Sequence, residues 1–195
     1  GSTFVENALL KARQAARLSG LPALADDSGL IVDALDGAPG LISAHYAGVL
    51  HDSARNIDKL LRELEGVPPE KRGARFHSVI VVLRNAGDPA PLIVEGTWHG
   101  RILETPRGSG GFGYDPVFYD PTRGLSAAEM GPTLKNRLSH RGQALFALRE
   151  RLLERLCRRG EWRDRRARDR AAGVGDVGGE IMRLVGSDGA VGQER

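Results

Sequence analysis

Apolar positions along the chain follow two spacings, one helical and one strand-like. The helical spacing is clearest from about Ser53 to Glu65, where Ile57, Leu60, Leu61 and Leu64 recur on one face; Pro68 and Pro69 end the run. A second long helix is predicted to open at Ser139, a favourable cap residue, and carries Leu145, Leu148, Leu152 and Leu156. At the start, Thr3-Phe4-Val5-Glu6 reads as a capping box, with the Thr hydroxyl and the Glu carboxylate satisfying each other's backbone donors. Strong helix formers continue to Leu18, and Gly20 stops them.

The β-rich runs Phe76–Leu83 and Pro91–Trp98 are joined through Asn85-Ala86-Gly87-Asp88, consistent with an antiparallel pair. Pro22–Ala25 and Leu30–Leu35 read as two short buried strands with a turn at Asp26–Gly29 between them. Ile102-Leu103 and Val117-Phe118-Tyr119 add further short strands. Asp36–Gly40 and the glycine-rich 108–113 segment are loops. No internal repeat is visible.

Composition narrows the class. A chain of 195 residues holds one sizeable domain, and its hydrophobic and charged fractions are those of ordinary globular proteins. No apolar stretch approaches the roughly 20 residues that span a bilayer. Cys157 is the only cysteine, so an intrachain disulfide and a cysteine-based zinc site are both ruled out, and a cytoplasmic setting is expected. The net charge of +3 lies entirely in residues 155–195, which hold ten Arg against seven acidic residues. The neutral remainder is a poor footprint for nucleic acid. Residues 158–195 are Arg-dense, then Gly-rich, and are expected to form a poorly ordered extension, with an RNA-binding or partner-binding tail as the alternative.

Three segments can carry chemistry. Asp26-Asp27-Ser28-Gly29 follows a short apolar run; strand alternation would send the two carboxylates to opposite faces, one of them into a cleft where it could hold Mg²⁺ or accept a proton from water. The same residues also suit a plain Asx-type turn. Gly110-Gly111-Phe112-Gly113-Tyr114-Asp115-Pro116 offers close backbone approach and aromatic surface for a planar ring, or else a simple turn. Ser139-His140-Arg141-Gly142 places donors at a helix start, where an anion or carbonyl is favoured; Lys135 stands five positions earlier. Asn7 and Lys11 lie one turn apart on the first helix and can face one cleft; no role is assigned to them, nor to Glu6, Asp33, His45, Tyr46 or His77.

With Thr3-Phe4-Val5-Glu6-Asn7-Ala8 and Gly37-Ala38-Pro39-Gly40, these segments, in this order, closely resemble the purine nucleoside triphosphate pyrophosphatases of the inosine/xanthosine triphosphatase family. The resemblance runs from Gly1 to about Leu156 and implies a hydrolase domain over 1–157. It implies an α/β fold, an elongated mixed sheet with flanking helices and two lobes around a deep cleft, in a homodimer. The implied reaction converts ITP, dITP and XTP to monophosphate and pyrophosphate with Mg²⁺. Asp27 matches the general base and metal-associated carboxylate. Ser28 matches a substrate contact; Phe112, Gly113, Tyr114 and Asp115 match the loop around the purine. Lys135, His140 and Arg141 match residues near the base, the last two acting as cationic donors to its 6-oxo group. Family members open with a strand and a Thr-x-Asn-x-x-Lys phosphate loop ahead of the position of Gly1, so the expected sheet lacks the family's first strand. A nucleotide-binding fragment without turnover, and an RNA-associated protein working through its tail, are the alternatives.

Overall fold

A five-stranded sheet organises the molecule. The structure, a computed structural model, describes residues 1–49 and 52–158, with side chains through 155. The strands are β1 (Ala23–Val32), β2 (Gly73–Leu83), β3 (Leu92–Ile102), β4 (Phe118–Asp120) and β5 (Leu125–Ser126), and they lie side by side in chain order. The helices are α1 (Phe4–Ser19), α2 (Ser53–Glu63), α3 (Pro132–Leu138) and α4 (His140–Arg158). The α/β class with flanking helices is as expected. Every strand pair among the described residues is antiparallel, so the expected mixed character is not found there. Residues Gly1–Glu150 form one compact unit. The extension read over 158–195 lies outside the described residues from 159 onward.

The reading of residues 22–35 needs correction. In place of two strands and a turn, β1 runs unbroken through Asp26, Asp27, Ser28 and Gly29, each paired with a residue of β2. The expected strand over Leu30–Leu35 ends at Val32 and gives way to a 3-10 turn, Asp33–Leu35. Local turn propensity loses here to a full ladder of cross-strand bonds and the apolar Val79–Leu83 segment opposite. Ile102 is likewise the last residue of β3, which continues past Trp98.

Alternation along the strands gives the sheet two apolar faces. Val79, Val81 and Leu83 pack with Ala25 against Ala8 and Ala12 of α1. On the other face Ile80, Leu92 and Val94 meet Ala144 and Leu148 of α4. Farther along that face Leu30, Val32, Phe76, Trp98 and Ile102 join Ile57, Leu60 and Leu64 from α2 and its C-terminal turn. Burial of each such aliphatic side chain contributes about 1.5–3 kcal/mol.

The element ends follow from specific polar groups. Asp52 caps α2 by accepting from the Arg55 N–H at 3.0 Å. The buried Arg72 guanidinium donates to the Leu64 and Val67 carbonyls, both at 2.8 Å, and so satisfies acceptors beyond the helix end. At the β2–β3 connection the Asp88 carboxylate takes Arg84 Nη2 at 2.6 Å and the Ala90 N–H at 3.0 Å, which pins the predicted turn. Those hydrogen bonds, Arg84's foremost, hold its pKa far below the ordinary range.

Candidate active site

The adjacent carboxylates of β1 diverge, as strand alternation requires. Asp27 turns toward α1, where Asn7 Nδ2 donates to Oδ2 at 3.1 Å and Lys11 Nζ to Oδ1 at 2.6 Å. Lys11 also donates to the Asp26 carbonyl at 3.1 Å. The spacing of four residues along α1 puts the amide and the ammonium over one another, so both reach a single carboxylate. Thr3 Oγ1 accepts from the Glu6 N–H at 3.1 Å, as a helix cap should. The Glu6 carboxylate, however, reaches to the Ser2 N–H at 2.6 Å and the Ser2 hydroxyl at 2.7 Å. Those bonds lower its pKa.

Asp26 and Ser28 turn to the opposite face and meet the first turn of α4. Arg141 donates to Asp26 Oδ2 through Nη2 at 2.8 Å and Nε at 3.2 Å, and to Ser28 Oγ at 3.4 Å. Ser139 Oγ accepts the Gly142 N–H at 3.1 Å, confirming the predicted cap and fixing the direction in which His140 and Arg141 leave the helix. The His140 ring stacks on Phe76 with centroids 4.8 Å apart. Burial, then the neighbouring Arg141 and Lys135 charges, push its pKa down to about 3. The expectation of two cationic donors is therefore corrected: Arg141 is the cation, and His140 is a neutral imidazole with one proton to give.

The glycine loop is built around Asp115. Its Oδ2 accepts the Phe112 N–H at 2.7 Å and pairs with Lys135. At Gly111 the backbone is left-handed (φ 75°) and an added Cβ would press against Asp115, so both the turn and the close approach require glycine. The Phe112 ring is 68% exposed and carries the Lys135 ammonium 4.7 Å from its centroid. Tyr114 differs from expectation. It is 4% exposed, sits in the core, and donates its hydroxyl to the Ser43 carbonyl at 2.9 Å. It anchors the loop from below instead of facing a ligand, and its burial raises the phenol's pKa.

Ser43 is the joint that sequence reasoning missed. Its Oγ accepts the Leu30 N–H at 2.9 Å while its carbonyl takes Tyr114, so the glycine loop is tied to β1 through one residue. The structure thus brings Lys135, His140, Arg141 and Ser28 together on the α4 side of β1, and places Asp27 on the α1 side. Asn7, Lys11 and Asp26 join the site unassigned by the sequence, though the helical spacing of Asn7 and Lys11 was the available signal. Among the described residues β1 is one of the sheet's two edge strands, and its two faces carry the two halves of this set.

The chain has close counterparts. The dITP/XTP pyrophosphatase of Xanthomonas oryzae pv. oryzae is 64% identical over 152 residues, 78% of this chain and 76% of that one. A solved HAM1 protein from Coxiella burnetii superposes with a TM-score of 0.76 at 55% identity, covering 79% of this chain and 78% of the other. The Ham1 protein of Staphylococcus aureus gives 0.75 at 39% identity, covering 80% and 79%. The Ham1 family model matches residues 1–151, and with that extent of agreement in sequence and fold the chain belongs to the Ham1 family.

Proposed function

We propose that this chain is a nucleoside triphosphate pyrophosphatase that hydrolyses deaminated purine nucleotides (ITP, dITP and XTP) to the monophosphate and pyrophosphate. The observation that carries the reading is the division of labour across β1, with a carboxylate gripped by an amide and an ammonium on one face and fixed N–H donors on the other. The nucleotide lies across the strand, its triphosphate on the Asp27–Lys11 side and its purine on the side of His140, Arg141 and the Phe112 ring. The dITP/XTP activity named for the relatives supports the same substrate class.

Asp27 takes a proton from water as the water oxygen bonds to the α-phosphorus, and the bond to the bridging oxygen breaks to release pyrophosphate. Each carboxylate oxygen keeps a lone-pair site beyond its present bond, so the base remains competent. Lys11 can pass its charge to phosphate oxygens without leaving the site. Among the described residues no group of three or more His, Cys, Asp or Glu forms a complete metal site, so Asp27 would offer Mg²⁺ one carboxylate and substrate phosphates would supply the rest of its oxygens. When bound it supplies charge neutralisation on the triphosphate. On the purine side, Arg141 and the His140 N–H donate to a 6-oxo group; adenine presents an amine there and leaves the His140 N–H unpaired. Family resemblance supports a homodimer, tested by light scattering, and the lone cysteine is consistent with a cytoplasmic setting.

The deciding assay is pyrophosphate release from ITP, with ATP and GTP as controls, in Mg²⁺ and in EDTA. Mg²⁺-dependent release selective for ITP is expected. A folded protein that binds IMP but leaves ITP intact would make this chain a binding module instead.

A further inference from the structure

Ser78 Oγ and His140 Nδ1 are both buried and both without a hydrogen-bond partner among the described residues. An unsatisfied buried polar atom costs about 1–3 kcal/mol, so two in one place call for a common explanation. They are in one place. Ser78 lies between Ser28 of β1 and Gly96 of β3 in the strand register. Along β2 its same-face neighbours are Phe76, which stacks on the His140 ring, and Ile80, which packs on Ala144. Across the ladder, a Cβ added at Gly96 would press on the His140 carbonyl and meet the Ala144 nitrogen at 2.6 Å. The wholly buried Ser78 hydroxyl therefore points up beneath the first turn of α4.

The chemistry of the two atoms is complementary. A neutral imidazole has one donor nitrogen and one acceptor, and the partner of one nitrogen decides which is which. A hydroxyl rotor can offer its proton to Nδ1, and that arrangement leaves the ring's own proton on Nε2. We infer that Ser78 is a positioning residue: the two atoms form no direct bond in this structure, and the hydroxyl donates to His140 Nδ1 across one bridging water, which fixes the proton on Nε2, where it faces the 6-oxo group of the purine. The last step rests on the functional reading above. The low pKa of His140 keeps the ring neutral, so the tautomer is what matters.

The test is a long-range ¹H–¹⁵N correlation spectrum of the ¹⁵N-labelled 195-residue chain near neutral pH, alongside ITP and ATP turnover. The parent is expected to show His140 with Nε2 protonated and Nδ1 an acceptor. Ser78→Ala should give mixed tautomers and about a tenfold loss of ITP-over-ATP preference, the worth of one hydrogen bond. Its melting temperature should fall modestly, because His140 Nδ1 then stays buried with no partner at all. Ser78→Cys, which keeps a weak donor, should retain the parental tautomer. A parent protonated on Nδ1, or a Ser78→Ala spectrum identical to the parent's, overturns the inference. Absence of ITP hydrolysis in the parent overturns the purine contact, while the spectra still decide the link between Ser78 and His140.

Discussion

At Asp27, charge and geometry are set by two residues of one helix face, Asn7 at 3.1 Å and Lys11 at 2.6 Å. The neighbouring Asp26 is committed to Arg141 on the other side of the strand, so the two carboxylates are not interchangeable. Asp27→Asn keeps the size of the side chain and removes its ability to take a proton. ITP hydrolysis is then expected to fall by at least about a hundredfold, the lower end for loss of a general base. The part-exposed Lys11 pair contributes only about 0–1 kcal/mol, so the variant should melt close to the parent. Steady-state ITP turnover and a thermal melt check both halves; turnover at the parental rate would end the assignment of Asp27 as base.

Among the elements, the first turn of α4 matters most because it carries His140 and Arg141 together. Its seat on β3 is Gly96, where a side chain would meet Gln143 Cβ at 3.0 Å and the Ala144 nitrogen at 2.6 Å. Gly96→Ala therefore has to push the turn off the sheet, at a cost of about 1–3 kcal/mol for overpacking. Denaturant melts should show that loss, and the KM for ITP should rise as both donors move; an unchanged KM would separate the turn from the purine. This helix was legible in the sequence, because Ser139 is a strong local cap and the leucines behind it keep helical spacing. β1 was legible only in part. Asp26, Asp27, Ser28 and Gly29 are all turn formers, and what makes them strand is Val79 and Ile80 on the neighbouring strand, which no local window contains. The divergence of the two aspartates was nevertheless foreseen from alternation. α3 escaped notice because it has only seven residues and abuts Ser139; Pro132 at its first turn was the available mark. Tyr114 looked like ligand surface because its burial depends on Ser43, 71 positions away in the chain.

For the molecule as a whole, the site imposes a dependence of stability on pH. His140 is buried against Phe76, with Arg141 and Lys135 adding positive charge and Asp26 opposing them only weakly, and its pKa falls from 6.5 to about 3. Unfolding releases the ring to its ordinary value. Between these two values the unfolded chain binds a proton that the folded chain refuses, so this contribution is fully present above pH 6.5 and is lost as the pH falls toward 3. Asp88, Glu6 and Glu129, all lowered by hydrogen bonds, add a further loss, but only below the ordinary carboxylate range. A window near pH 5.5 therefore isolates the imidazole from these three groups. Moving the protein from about pH 7.5 to 5.5 should reduce its unfolding free energy by about 1.4 kcal/mol through His140 alone. His140→Gln, which has nothing to titrate, should lose that much less over the same interval, whatever its stability at the upper pH. Urea unfolding of both proteins at the two pH values measures the difference directly. Equal losses in parent and variant would mean that the imidazole is not excluded from protonation in the fold, and the neutral donor assigned to the purine side of the site would go with it.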